Sequence, residues 1–253
     1  MASSSSVSVF DNYHFKTAFN EELYNTIVKN KNVIAEVYFD LLDDEYLKIR
    51  EQIALRGWRR LAAPKPEISI DLIHEFYANA IITEEEMEEH GGHTYKSFVR
   101  GFPIDFSLEN IRNVMRFRAQ VEGATTDFEN QKEHDQQLDR VLVDLCMPGA
   151  TWKLSTGQQR VPIQSEILVI RAILIHCIMN GEDVRAEEII ADKMVRMAQG
   201  IKEKGKLGFP STIYKLCKEA GVPLREFRRT KKFPVEKPIT ARRMESTRLA
   251  RNL

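Results

Sequence analysis

The sequence predicts a mainly α-helical fold: a multi-helix bundle with one small β-hairpin, a flexible N-terminus and a basic C-terminal tail. Three observations predict it. Apolar residues recur at three- and four-residue spacing along most of the chain, capping residues and glycine stops punctuate those runs, and the spacing turns to alternation at one short stretch. With 253 residues, 43% hydrophobic and 29% charged, the composition is that of a globular chain able to build a core.

The first helix carries Leu23, Tyr24, Ile27 and Val28 on one face. Asp43 or Asp44 can cap a second through Tyr46, Ile49 and Ile53 to Gly57, with Trp58 just beyond. Pro64 and Pro66 bracket a connector. Ser69 then caps a helix whose Leu72, Ile73, Phe76, Tyr77 and Ala80 keep the helical period. The acidic run from Glu84 to Glu89, ending in His90-Gly-Gly-His93, reads as a solvated loop or frayed helix end.

From Tyr95 to Phe106 the pattern alternates, with Phe98 on one side of Arg100-Gly101 and Phe102, Ile104 and Phe106 on the other, which predicts the hairpin. Ser107 caps a helix bearing Ile111, Val114, Met115 and Phe117. A polar loop from Gly123 to Asp135 precedes a helix through Leu138, Val141, Leu142 and Leu145, which Pro148-Gly149 ends. After Trp152 and a Gly157 to Pro162 connector, Ile163 to Met179 is apolar nearly all round and predicts a buried central helix stopped by Gly181.

The next helix runs near Asp183 to Gly200, with Ile189, Ile190, Met194 and Met197 inward and Glu187 and Glu188 placed to suit the helix dipole. Pro210 opens the last, with Ile213, Leu216 and Cys217 inward and Gly221 as its stop. This divides the chain into a Ser-rich N-terminus (1–16), a helical body (17–222) and a basic tail (223–253). No repeat of fixed period points to a solenoid.

Charge is split along the chain in a way its totals hide. Totals of 37 Lys/Arg and 37 Asp/Glu give no net charge, yet from Arg225 onward ten basic residues face three acidic ones. A tail of net +7 therefore follows a body of net −7. Arg225, Arg228, Arg229, Lys231, Lys232, Lys237, Arg242, Arg243, Arg248 and Arg251 are the candidate nucleic-acid-binding residues, because such a run can neutralise phosphates and release their counterions. Only Phe227 and Phe233 interleave it, so base stacking is not implied.

Catalytic and metal constellations are not expected. The chain has neither a phosphate-binding glycine loop nor a nucleophile elbow. His90 and His93 beside the acidic run could imitate a zinc site, but intervening glycines and the lack of a second ligand pair argue against one. The acids are spread over helices rather than gathered on a nuclease-like sheet. His74 and His176 read as structural, and Cys146, Cys177 and Cys217 as reduced thiols in apolar runs. No secretory leader or membrane-length apolar run is evident, so the expected location is intracellular, nuclear or cytoplasmic.

Leu72–Asn79 (LIHEFYAN), Phe98–Ser107 (FVRGFPIDFS), Trp152 after the Leu142–Leu145 run, and Phe209–Cys217 (FPSTIYKLC) with Ala-Gly-Val222 together resemble the "putative plant transposon protein" domain found in gypsy-type LTR retrotransposons of plants. The resemblance covers roughly Gly57 to Val222. Val161–Glu166 (VPIQSE) matches in part the turn before the family's central helix. What it implies is a plant mobile-element origin, with no catalytic residues to carry over.

The expected function is therefore that of a non-enzymatic, retrotransposon-derived plant protein. Its helical body would self-associate or dock partners, and its tail would bind DNA or RNA without sequence preference, with no cofactor. One alternative is a domesticated protein-interaction module whose tail folds back on the body or serves import. The other is a degenerate transposase or nuclease.

Overall fold

The computed structural model describes residues 10–34, 36, 39–40, 47–64, 67–118, 152–154, 160–162, 177–178, 180–201, 205–229 and 239–240. The chain divides into two compact units. The larger comprises Met1–Leu47, Ile53–Arg118 and Glu187–Leu253, and the smaller Lys48–Gln52 and Ala119–Ala186. Among the described residues there are eight α-helices and three two-stranded sheets, so the mainly helical class and the small hairpin are as the sequence predicts.

The larger unit is organised around α4 (Ile70–Ala80), in which every residue from Leu72 to Ala80 is buried. Ser69 caps it, its hydroxyl accepting the Asp71 N–H at 3.1 Å. Packed against α4 are α1 (Ala18–Thr26), the 3₁₀ turn Val28–Asn30, β2 (Lys96–Val99) and α8 (Pro210–Glu219). Burying Leu72, Ile73 and Phe76 contributes about 1.5–3 kcal/mol each. The sequence assigns the all-round apolar helix to Ile163–Met179; most of that run lies outside the described residues, as do the predicted loop Gly123 to Asp135 and the helix through Leu138. In the larger unit the central element is α4.

Its polar residues are satisfied by other segments. Asn79, fully buried, takes the Lys16 N–H on Oδ1 at 2.8 Å, while its amide nitrogen donates toward the carbonyls of His14, Phe98 and Glu75. Asn20 reaches the carbonyls of Ala78 and Ile81 at the end of α4. His74 Nε2 pairs with the Lys31 carbonyl at 2.9 Å, and Tyr77 donates to the Gly208 carbonyl at 3.1 Å. Ser97 donates to Phe76 O at 2.6 Å. Each bond removes the desolvation penalty of a buried polar atom, and together they tie α4 to distant pieces of the chain. Because Lys16 and a buried Phe15 take part, the packed unit includes residues that the sequence groups with the N-terminal segment.

The predicted hairpin is β2 with β3 (Phe102–Asp105), paired antiparallel from Lys96↔Asp105 to Val99↔Phe102. Arg100 and Gly101 form its turn with φ of 49° and 81°, the doubly positive geometry of a two-residue turn. Arginine in that region costs about 1–2 kcal/mol. Ser107 caps α6 (Leu108–Met115), whose Ile111, Val114 and Met115 are buried, and Phe117 follows them inward past a left-handed Arg116.

The acidic run is better defined than the sequence suggests. It forms α5 (Glu84–Glu89), set by a capping box in which Thr83 accepts the Glu86 N–H and Glu86 accepts the Thr83 N–H. α7 (Ala186–Gln199) buries Ile190, Ala191, Met194 and Ala198, while Ile189 and Met197 are half-buried. Pro210 opens α8 and Gly221 follows its end with φ 83°, both as predicted. No local side chain caps α8. Instead Glu36, far away in sequence, accepts the Ser211 N–H at 2.9 Å, and burial pushes its carboxyl up to about 6.

α2 (Leu47–Leu55) and α3 (Arg59–Ala62) flank Gly57 and Trp58. β1 (Phe39–Asp40) pairs in parallel with β6 (Ile239–Thr240). In the smaller unit, β4 (Trp152–Leu154) pairs antiparallel with β5 (Arg160–Pro162), where the sequence places a connector. The end of the predicted central helix is seen at residues 177, 178 and 180, before Gly181 at φ 74°.

Candidate nucleic-acid interface

The root of the basic segment is built into the larger unit. After Gly221 the chain buries Val222 and turns through a 3₁₀ helix, Leu224–Arg229, in which Phe227 is only 4% exposed. The Arg100 guanidinium lies over the Phe227 ring at 4.5 Å. The sequence implies no base stacking by Phe227, and the structure buries the ring as an anchor beneath the Arg100 guanidinium.

Arg100 is itself held by Glu75. Its backbone N–H donates to Oε1 at 2.7 Å and its Nε to Oε2 at 3.1 Å, with the Tyr13 ring 5.9 Å from the guanidinium. These interactions offset the cost of the positive φ at Arg100. Burial drives the Glu75 carboxyl up to about 7, against the pull of Arg100. The arrangement is thus a strained turn, a buried carboxylate and a cation, ending at the aromatic ring from which the tail departs.

Of the ten predicted binding residues, Arg225 is described and exposed. Arg228 and Arg229 lie in the 3₁₀ helix, with the placement of their side chains outside the description. Lys231, Lys232, Lys237, Arg242, Arg243, Arg248 and Arg251 lie outside the described residues.

The histidines of the acidic run are engaged separately. His90 Nδ1 pairs with Glu86 O at 2.8 Å, and His93 Nε2 with Ala80 O at 3.1 Å. Burial lowers the His93 pKa, as it does that of His74. Among the described residues no group of three or more His, Cys, Asp or Glu side chains is placed to hold a metal ion. Cys177 and Cys217 are both buried, and burial raises the Cys217 thiol pKa far out of the reactive range. Cys146 and His176 lie outside the described residues. Among those residues, no helix is long and apolar enough to cross a membrane.

A second basic feature escapes any charge count averaged over the whole body. Residues 56–60 cross residues 112–118: the Arg118 N–H reaches Arg56 O at 3.4 Å, and Arg60 donates to Val114 O. A short charge window over Trp58-Arg-Arg60 and Arg116-Phe-Arg118 draws attention to both segments, though not to their meeting.

The family model described as "Putative plant retrotransposon-related domain" matches residues 54–223, and the chain belongs to that family. The matched stretch runs from the end of α2 to just past α8 and includes every motif on which the resemblance rests. No curated protein and no solved structure matches the chain.

Proposed function

We propose that this retrotransposon-related chain is a non-enzymatic nucleic-acid-binding protein. Its tail, rooted at Phe227, touches DNA or RNA phosphates without reading sequence, and its helical body self-associates or docks partners in the nucleus or cytoplasm. The observation that carries the reading is the separation of charge, ten basic residues against three acidic ones after Leu224, on a segment whose first turn is fastened to the fold. Fastening matters because a tethered polycation acts at high effective concentration on whatever the body holds. Exposed Leu47 and Leu55 on α2, a helix that buries none of its residues, support the docking part.

The test keeps the chain whole. Lys231, Lys232, Arg242, Arg243, Arg248 and Arg251 are replaced by Gln, and binding to labelled duplex DNA and single-stranded RNA is followed by fluorescence anisotropy. The expected result is markedly weaker binding to both ligands. Equal affinity for variant and parent would remove the tail from the interface.

A further inference from the structure

We propose that the crossing of residues 56–60 with residues 112–118 forms a second, folded cationic surface that takes the phosphate backbone of a nucleic acid. The tail reading supplies the ligand class, but the surface itself stands on different residues.

The two segments are short, far apart in sequence and free of acids: residues 53–63 and 110–118 contain six arginines and no Asp or Glu. Backbone geometry forces them together. Gly57 has φ +70°, and a Cβ there would stand 2.8 Å from Arg116 O and 3.1 Å from Arg118 N, so only glycine permits the approach. Arg116 adopts a left-handed φ of 57° at the same place. The Arg118 N–H to Arg56 O bond and the Arg60 bond to Val114 O close the crossing.

Three of the six guanidinium groups are engaged within the fold. Arg60 satisfies the Val114 carbonyl, and Arg112 pairs with the buried Glu187 at 2.9 Å. Arg56 lies over the half-buried Trp58 ring at 5.1 Å. Arg59, Arg116 and Arg118 are exposed, and among the described residues none has an ion-pair partner. Like charges held together by a fixed backbone repel one another, and a polyanion relieves that repulsion while releasing its own counterions. Because backbone contacts fix the crossing, little backbone ordering opposes binding.

The full-length chain is compared with a patch variant (R59Q, R116Q and R118Q together), the tail variant described above, and a charge-preserving patch variant (R59K, R116K and R118K). All are titrated with labelled duplex DNA and with a single strand across a salt series, after thermal melts confirm that each is folded. The patch variant is expected to bind both ligands roughly tenfold more weakly, with a salt slope shallower by about 0.9 for each duplex phosphate it no longer neutralises. The lysine variant retains the parent's slope. Parent-like affinity and slope in a folded patch variant overturn the proposal, whatever the tail variant does. Weakened binding confined to the patch variant upholds it and overturns the tail reading instead. Absence of nucleic-acid binding together with self-association that the patch variant abolishes assigns the surface to a second copy of the chain and overturns the proposal.

Discussion

Glu75 and Arg100 are joined at two points, through the backbone N–H of Arg100 at 2.7 Å and its Nε at 3.1 Å, although Glu75 lies in the middle of a helix and Arg100 at a hairpin tip. The pair fixes β2–β3 against α4, and the guanidinium also meets the Phe227 ring. Above about pH 7, where Glu75 is ionised, replacing Arg100 by Ala leaves a buried carboxylate without its cation. We expect a loss of about 3–5 kcal/mol in urea unfolding, partly restored by adding Glu75→Gln. Full additivity of the two changes would contradict the coupling.

The same carboxyl sets a pH dependence. Burial raises Glu75 to about 7 in the folded chain from an ordinary 4.5, so the folded state holds more protons between those values. Its contribution is fully present below about pH 4.5 and is lost as pH rises through about 7. Arg100 and Asp11 face it, and Asp11, its own pKa lowered, stays ionised throughout this window. The stability of the parent relative to Glu75→Gln should therefore fall by about 3 kcal/mol from pH 4.5 to above 7. Chemical denaturation of both proteins across that range checks it; a constant difference would refute the protonation argument.

Phe227 is buried at the point where the sequence has already turned basic. Phe227→Ala should cost about 3 kcal/mol and speed amide exchange through residues 224–229. Cutting the chain after Leu224 should do the same, because it removes the anchor along with the tail. A truncation there with undiminished stability would show that the 3₁₀ turn is not part of the fold.

Gly57 and Asn79 test the two tightest junctions. Gly57→Ala must place a methyl 2.8 Å from Arg116 O at a positive φ, and should destabilise by more than about 2 kcal/mol. Asn79→Asp keeps the shape but removes every donor, leaving the carbonyls of His14 and Phe98 unserved, and should cost about 2–4 kcal/mol. Equilibrium unfolding of each variant decides. A Gly57→Ala protein as stable as the parent would mean that the two segments can part without penalty.

Local grammar is legible in the sequence. Ser69 and Ser107 cap the helices expected of them, Arg100-Gly101 turns the hairpin, and Pro210 and Gly221 bound the last helix. These features depend on a few adjacent residues. What escapes depends on distant partners. Glu75, His74 and Asn79 make α4 look amphipathic, and only Arg100, Lys31, Lys16 and the hairpin carbonyls, supplied from elsewhere, let it be central. Glu36 caps a helix that begins far beyond it, a non-local bond with no sequence signature. The Thr83–Glu86 capping box has a local signature, but the density of acidic charge around it points to a solvated loop or frayed helix end. In the candidate interface, Arg225 and its successors stand out by composition, whereas the arginines at the 56–60 and 112–118 crossing are diluted by the acidic body around them.

The decisive quantity is the slope of log Kd against log salt for the full-length chain and for the variant with six tail residues changed to Gln, measured on one duplex between about 50 and 200 mM salt. Phosphate binding by the tail predicts a steep slope for the parent and one shallower by about 0.9 for each phosphate that the variant leaves unneutralised. Identical slopes and affinities for the two proteins would contradict it.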